Sequence, residues 1–256
     1  MNDETIAALN ALNRRFYETV APEFDASRAH PWPGWVTLLP HLEGMAAPTS
    51  VLDAGCGNGR FGVFLAEPVK ALRYHGIDSS RALIMSAKRA LVALKDVEFR
   101  LDQRDLLSDP KPGDQVDLVA LFGVLHHIPG EAARRALVRE LAARVAPGGI
   151  LVFACWRFYE YPRFRDRIAA WPEGWDREAG DFLLVWRRGT PALRYCHYVD
   201  DAEHDRLAEA TGLTRIDDYR ADGEPGDVNA YTVLKRPPCT SSTEAVQSAA
   251  DPDVQE

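Results

Sequence analysis

The chain predicts an α/β fold: a seven-stranded, mostly parallel sheet with an antiparallel last strand and helices on both faces. Three observations carry this. Short apolar runs alternate with helical patterns from Ser50 to Cys155. The run Val116–Phe122 is almost wholly apolar, as a strand covered on both faces must be. Two further strand-like runs, Leu213–Tyr219 and Ala230–Lys235, follow a single helix late in the chain. At 256 residues and 46% hydrophobic content, the chain suffices for one such domain with extensions.

Residues 3–20 place Ile6, Leu9, Leu12, Phe16 and Val20 at helical spacing, so one helix face is apolar. The prolines of 21–35 predict a loop that carries aromatic residues and Arg28, of a kind that covers a pocket. A helix over about 35–45 follows, and residues 1–48 are expected to form an N-terminal helical cap. Strand one spans 50–54 and its helix 59–67, stopped by Pro68. Strand two spans 73–77 and ends at Asp78, with Ser79 or Ser80 capping the next helix. Strand three is 97–101, and Lys111–Asp114 breaks the chain before strand four at 116–122. A helix over 131–145 ends at Pro147-Gly148-Gly149, and Ile150–Cys155 is strand five. Residues 49–236 form the main domain in this reading, with 156–200 as an irregular insert. Residues 237–256 lack a core-forming pattern and read as a disordered tail.

The insert holds eight arginines and no lysine, interleaved with aromatics. It follows strand five, so it sits at the carboxyl edge of the sheet, where α/β folds bind ligands. That position makes it a substrate-recognition element. Six acids from Glu160 to Asp181 intersperse, which predicts local ion pairs on its surface.

Composition excludes several classes. No stretch is long and apolar enough to span a membrane, and Met1–Glu4 is unlike a secretion signal. Four scattered cysteines (Cys56, Cys155, Cys196, Cys239) point to a reducing, cytoplasmic setting without disulfides or a zinc site. The net charge of −8 argues against strong nonspecific nucleic-acid binding.

The chemistry gathers at Val51-Leu52-Asp53-Ala54-Gly55-Cys56-Gly57-Asn58-Gly59-Arg60, which reads as a strand, a glycine-rich turn and a helix start. Alternate glycines let a ligand come against the backbone. The dinucleotide pattern G-x-G-x-x-G would need glycine at Arg60. Here the spacing is G-x-G-x-G, and Asp53 stands two residues ahead of it. A carboxylate there repels a pyrophosphate but holds an ammonium group. This pattern resembles motif I of the class I S-adenosylmethionine (SAM)-dependent methyltransferases, whose fold is Rossmann-like, and it implies SAM as cofactor. Asp78 is placed to accept ribose hydroxyls. In that superfamily Asp105, followed by Leu106, would take the adenine amino group, and Phe122-Gly123-Val124 would border the methyl donor. The expected cofactor contacts are therefore Asp53, Ala54, Gly55, Cys56, Gly57, Gly59, Asp78, Ser79, Asp105, Leu106, Phe122, Gly123 and Val124.

Leu125-His126-His127-Ile128-Pro129 follows strand four. Adjacent histidines in an extended segment point opposite ways, so a shared metal is not expected. Methyl transfer needs alignment and exclusion of water more than a nucleophile triad. A carboxylate acceptor is already ionised and needs no base, and Arg28 could orient it. A hydroxyl acceptor would make His126 the base.

Separated segments resemble one subfamily, the tRNA wobble-uridine 5-carboxymethyl methyltransferases. They are Tyr17-Glu18 with Phe24-Asp25-Ala26-Ser27-Arg28, Pro31-Trp32-Pro33, His126-His127, Trp156, Gly180–Trp186, Arg194-Tyr195-Cys196-His197-Tyr198 and Asn229–Leu234. The resemblance implies methyl esterification of a carboxymethyl group on tRNA, with Arg28, His126 and Trp156 lining the acceptor pocket. It also implies a small zinc-containing activator subunit. The acidic net charge departs from that picture, and the resemblance does not place Trp171–Trp175. A small-molecule acceptor, or a SAM-binding module without catalysis, stays open at this point.

Overall fold

A computed structural model of the protein describes residues 1–27, 30–107 and 113–238. In chain order the elements are α1 (Asp3–Ala26), α2 (Gly34–Leu42), β1 (Thr49–Ala54), α3 (Arg60–Leu65), β2 (Leu72–Asp78), α4 (Arg81–Val92), β3 (Val97–Gln103) and β4 (Val116–Phe122). Then come α5 (Glu131–Ala143), β5 (Val145–Trp156), α6 (Pro162–Arg165), β6 (Ile168–Ala169), β7 (Asp181–Trp186), β8 (Ala192–His197), α7 (Asp201–Ala210), β9 (Thr214–Ala221) and β10 (Asn229–Lys235).

Seven strands form one sheet in the order β3-β2-β1-β4-β5-β10-β9. The first five run parallel, and β10 lies antiparallel between β5 and β9. This is the predicted sheet. Side-chain alternation along β1 divides its core. Leu52 and Ala54 face α5 and α7, with Leu137, Leu141 and Leu207. Val51 faces α2, α3 and α4, with Trp35, Leu38, Phe61 and Leu91. Asp53 shares the second face, which places a carboxylate under the glycine-rich turn.

Four local expectations change. Helix α1 does not stop at Val20 but runs through Pro22 to Ala26. Proline removes one donor and crowds the preceding turn, which costs stability. Burial of Val20 and Ala21, and the packing of Phe24 against Trp186, hold the turn nonetheless. Strand β5 begins at Val145, five residues before Ile150, because Val145 already pairs with Val116 and a register shift absorbs the Pro-Gly-Gly.

The insert is not irregular. Strands β6, β7 and β8 form a second, antiparallel sheet. One side of it meets α1 through Leu9, Leu183 and Tyr195. The other meets the end of β5 through Phe158, Leu184 and Cys196. Finally, His126 and His127 sit in a 3-10 turn and not an extended segment, so their rings lie side by side, 4.2 Å apart. The disordered-tail expectation falls almost wholly on 239–256, outside the described residues. Among the described residues no helix is long and apolar enough to cross a membrane.

Candidate active site

Loops leaving the carboxyl ends of β1, β2, β4 and β5, together with α1 and the second sheet, enclose a cavity of about 580 Å³. That lies within the range of small-molecule sites.

The glycine-rich turn forms one end. Gly57 has φ +55°, and an added Cβ there would point into open space. The backbone at this point is bare toward the cavity, as close approach of a ligand requires. Gly59 has φ +76°, but a Cβ added there would come within 2.9 Å of the Ala87 Cβ on α4, so its absence makes room for that helix. Gly55, Cys56, Gly57, Asp53, Asp78, Ser79, Asp105, Leu106, Phe122, Gly123 and Val124 all line the cavity. Ala54 and Gly59 do not. Arg28 lies outside the described residues.

Asp78 and Asp105 each have a backbone task at this end. The Asp78 carboxylate accepts from the Gly57 amide at 2.9 Å and the Ser80 amide at 2.8 Å, tying the turn to β2. Ser80, not Ser79, caps α4, accepting from the Leu83 amide. Asp105 accepts from the Leu107 amide at 2.9 Å and from Asn10 Nδ2 at 2.7 Å. Asp53 is 2% exposed and accepts from the Tyr74 hydroxyl at 2.6 Å. Burial, with Asp78 close by, outweighs that hydrogen bond and raises its pKa to about 7. A cation placed against Asp53 would restore its ionised form. The set fits an adenosyl group with a charged amino-acid tail: a bare turn, a strand-end acid and a buried carboxylate whose nearby Arg60 does not offset the cost of burial.

Segment 30–35 closes over this end. Trp32 reaches Gly123, and Arg60 lies over the rings of Trp32 and Trp35, 4.8 and 5.2 Å from their centres. Asn58 donates to Asp25 at 2.7 Å, joining the turn to the end of α1.

The opposite end is built by α1, Trp156 and the second sheet. His127 Nδ1 lies 2.9 Å from the Tyr195 carbonyl, so it donates there. In neutral imidazole Nε2 then accepts from the Tyr17 hydroxyl, 2.7 Å away. His126 is buried with its ring 5.6 Å from Trp156, and both line the cavity.

Arg163, Arg167, Arg188 and Arg194 also line this end. Among the described residues no arginine of the insert pairs with an acid of the insert. Glu160 pairs with Arg220, Glu178 with Arg134, and Asp181 with His197. Among the described residues Arg167, Arg188 and Arg194 have no carboxylate within ion-pair distance, and Arg163 has only the exposed Glu224 at 3.5 Å. Aromatic faces hold the guanidinium groups instead. Arg194 lies 4.9 Å from Trp156, 5.3 Å from Phe16 and 5.8 Å from Trp186. Burial and the nearby Arg188, Arg187, Arg194 and Arg163 lower the pKa of Arg167.

Sequence reasoning missed the α1 contribution. Asn10, Asn13, Arg14, Tyr17 and Phe24 line the cavity. Their helical spacing, on the face beside the apolar stripe, was the available signal.

A methyltransferase-domain family model matches residues 52–151. The chain is 30% identical over 146 residues to a tRNA (carboxymethyluridine(34)-5-O)-methyltransferase of Arabidopsis thaliana, covering 56% of this chain and 32% of that protein. It is 32% identical over 146 residues to a trans-aconitate 2-methyltransferase of Paracidovorax citrulli (strain AAC00-1), covering 56% and 53%. The chain thus spans between a third and about half the length of these curated relatives. In fold it is similar to a SAM-bound amino pentose methyltransferase from Micromonospora echinaspora, with TM-score 0.58 and 20% identity, covering 85% of this chain and 96% of that one. Sheet order, glycine-rich turn, matched domain and relatives agree: residues 52–151 carry a methyltransferase domain, and the chain is similar to SAM-dependent methyltransferases in sequence and in fold.

Proposed function

We propose that the protein esterifies a carboxylate, moving the methyl group of SAM to a carboxylate oxygen. The carrying observation is the division of charge along the cavity. Its glycine-rich end presents Asp53, Asp78 and Asp105, and its other end presents Arg167, Arg188 and Arg194, none of which has a carboxylate within ion-pair distance among the described residues.

Bound SAM supplies the reactive methyl on a sulfonium. The chain's residues do the rest. Asp53 holds the ammonium of the amino-acid tail, Asp78 the ribose and Asp105 the adenine amino group. Arg194, fixed on three rings, orients the acceptor carboxylate by a two-point hydrogen bond. Trp156, Trp32 and Phe122 exclude water from the reacting atoms. An ionised carboxylate gives up no proton, so His126 serves as wall and not as base.

The name of the Arabidopsis relative points to the carboxymethyl group of carboxymethyluridine 34 in tRNA as acceptor. A small carboxylate is the second reading. The name of the Paracidovorax relative and the net charge of −8 favour it.

Radiolabelled SAM with bulk tRNA in one arm and small carboxylates, trans-aconitate included, in the other tests both. Methyl esters release labelled methanol in mild base, so base-labile product is expected in one arm. Base-stable label in either arm would overturn the carboxylate reading.

Asp53 makes cofactor binding pH-dependent. With its carboxyl near pH 7, about a tenth is ionised at pH 6 and about nine-tenths at pH 8. SAM affinity, measured by calorimetry, should therefore rise about ten-fold over that interval, and Asp53→Asn should flatten the profile. The ligand-free protein follows the opposite sign. A raised carboxyl pKa contributes stability below pH 3.8 that is lost as pH rises through about 7.

A further inference from the structure

The arginines at the acceptor end are more numerous than one carboxylate needs, and they are arranged in two steps. Arg194 is half-buried at the inner step and shares the Trp186 face with Arg188, which is exposed and 6.0 Å from that ring. Arg167 is half-buried and shares the Phe164 face with the exposed Arg163, at 5.7 and 4.9 Å. Phe164 in turn packs edge-on against Trp156, 4.8 Å between centres. Two aromatic platforms thus flank the inner guanidinium and carry three more toward the mouth.

Such an arrangement is costly without a ligand. Like charges gathered in a half-buried cleft repel, and at Arg167 burial first and the neighbouring arginines second lower the pKa. Surface arginines usually relieve this by pairing with acids. Here Asp222, the carboxylate lining the same end, is 4% exposed and accepts from the Gly34 amide, Asn229 and Tyr231. Stacking on rings fixes a guanidinium in place while leaving its N–H edge for a ligand.

We propose that the acceptor is at least a dianion: one anionic group lies at Arg194, where the methyl arrives, and a second is held at the mouth by Arg163, Arg167 and Arg188. The assignment rests on the methyl-transfer reading for which of the two groups reacts. The second group is a carboxylate of the same small molecule or a phosphate attached to it, since planar guanidinium forks serve both.

The test is calorimetry on the protein saturated with S-adenosylhomocysteine, at constant ionic strength. Acetate is compared with succinate, and uridine with uridine 3′-monophosphate. At least one dianion should bind ten-fold or more tighter than its counterpart with fewer charges, about 1.4 kcal/mol. The Arg163→Ala/Arg188→Ala double variant should bring the ratio within two-fold with the affinity for S-adenosylhomocysteine unchanged. Arg89→Ala/Arg81→Ala, exposed on α4, removes the same charge elsewhere and should keep the ratio. Preference for succinate identifies the second group as a carboxylate, and preference for the nucleotide identifies it as a phosphate. Equal binding within each pair, or a ratio that survives the mouth variant or falls equally in the α4 variant, overturns the proposal. The assay needs no turnover. A base-stable methyl product would remove the carboxylate reading while leaving the dianion preference measurable.

Discussion

Replacing Arg134 by methionine is expected to lower the unfolding free energy by about 3–5 kcal/mol, the usual consequence of leaving a buried carboxylate, here Glu203, without its cation. Arg134 is 1% exposed at the junction of α5, α7 and the second sheet. It donates to Glu203 at 2.6 Å, to Glu178 at 2.9 Å and to the Ile128 carbonyl at 3.0 Å. His197 continues the chain, 2.6 Å from Glu203 and 2.7 Å from Asp181, which also accepts from Tyr195. The network joins the insert to the main sheet just behind the His126–His127 turn. In thermal melts the loss should appear as a fall in Tm of about 10 °C, at roughly 2–4 °C per kcal/mol for a chain of this size. Adding Glu203→Gln and Glu178→Gln should recover part of it, because the penalty is the orphaned charge and not lost volume. A Tm within 2 °C of wild type, by melts of both proteins side by side, would show the network to be dispensable.

The same network carries a pH signature. Burial opposes the His197 imidazolium, but hydrogen bonds to Asp181 and Glu203 outweigh it and raise the pKa above 6.5. Its contribution is complete below 6.5 and is lost as pH rises through the raised value. Burial likewise works against the Glu203 carboxylate, and His197 and Arg134 outweigh it, lowering the pKa from 4.5. That contribution is complete above 4.5 and is lost as pH falls through the lowered value. The stability difference between wild type and His197→Gln in urea titrations should thus be greatest between pH 4.5 and 6.5.

Local patterns made the parallel half of this fold readable. Strand β4 is apolar at nearly every position, and Ser80 announces α4 by its capping chemistry. The glycine-rich turn is likewise a local signal, because spacing alone separates it from a dinucleotide loop. What escaped was set by partners distant in sequence. Asn10 meets Asp105 across 95 residues, and Tyr17 meets His127 across 110. Nothing in either segment names its partner. The insert shows this most clearly. Its arginines and acids were visible as a mixture, and a mixture predicts pairing. The antiparallel register of β7 and β8 instead puts Asp181 opposite His197, inside the protein, and Arg194 opposite Leu184, with its side chain toward the cavity. The period-two placement of Asp181, Leu183 and Val185 was compatible with such a strand, but the flanking glycines and prolines read as loop.

Arg194→Ala should lower kcat/KM for the methyl acceptor by about a hundred-fold, or about 2.7 kcal/mol, with SAM affinity unchanged. The size follows from a two-point, charge-assisted hydrogen bond lost inside a half-buried cleft. Arg194→Lys separates charge from geometry. Lysine keeps the cation but has no planar fork to match a carboxylate, and it stacks poorly on Trp156 and Phe16. It should recover no more than about a tenth of the lost activity if orientation matters, since misplacement of reacting atoms alone carries a penalty of that order or greater. His126→Ala supplies the contrast. With a carboxylate acceptor it should change kcat without introducing a new pH dependence, because no proton leaves the acceptor. A pH profile of kcat that lost a step on removing His126 would instead mark a hydroxyl acceptor and a histidine base. Arg194→Ala within three-fold of wild type would remove the guanidinium from the reaction, and with it the reason for reading this end of the cavity as a seat for an anion.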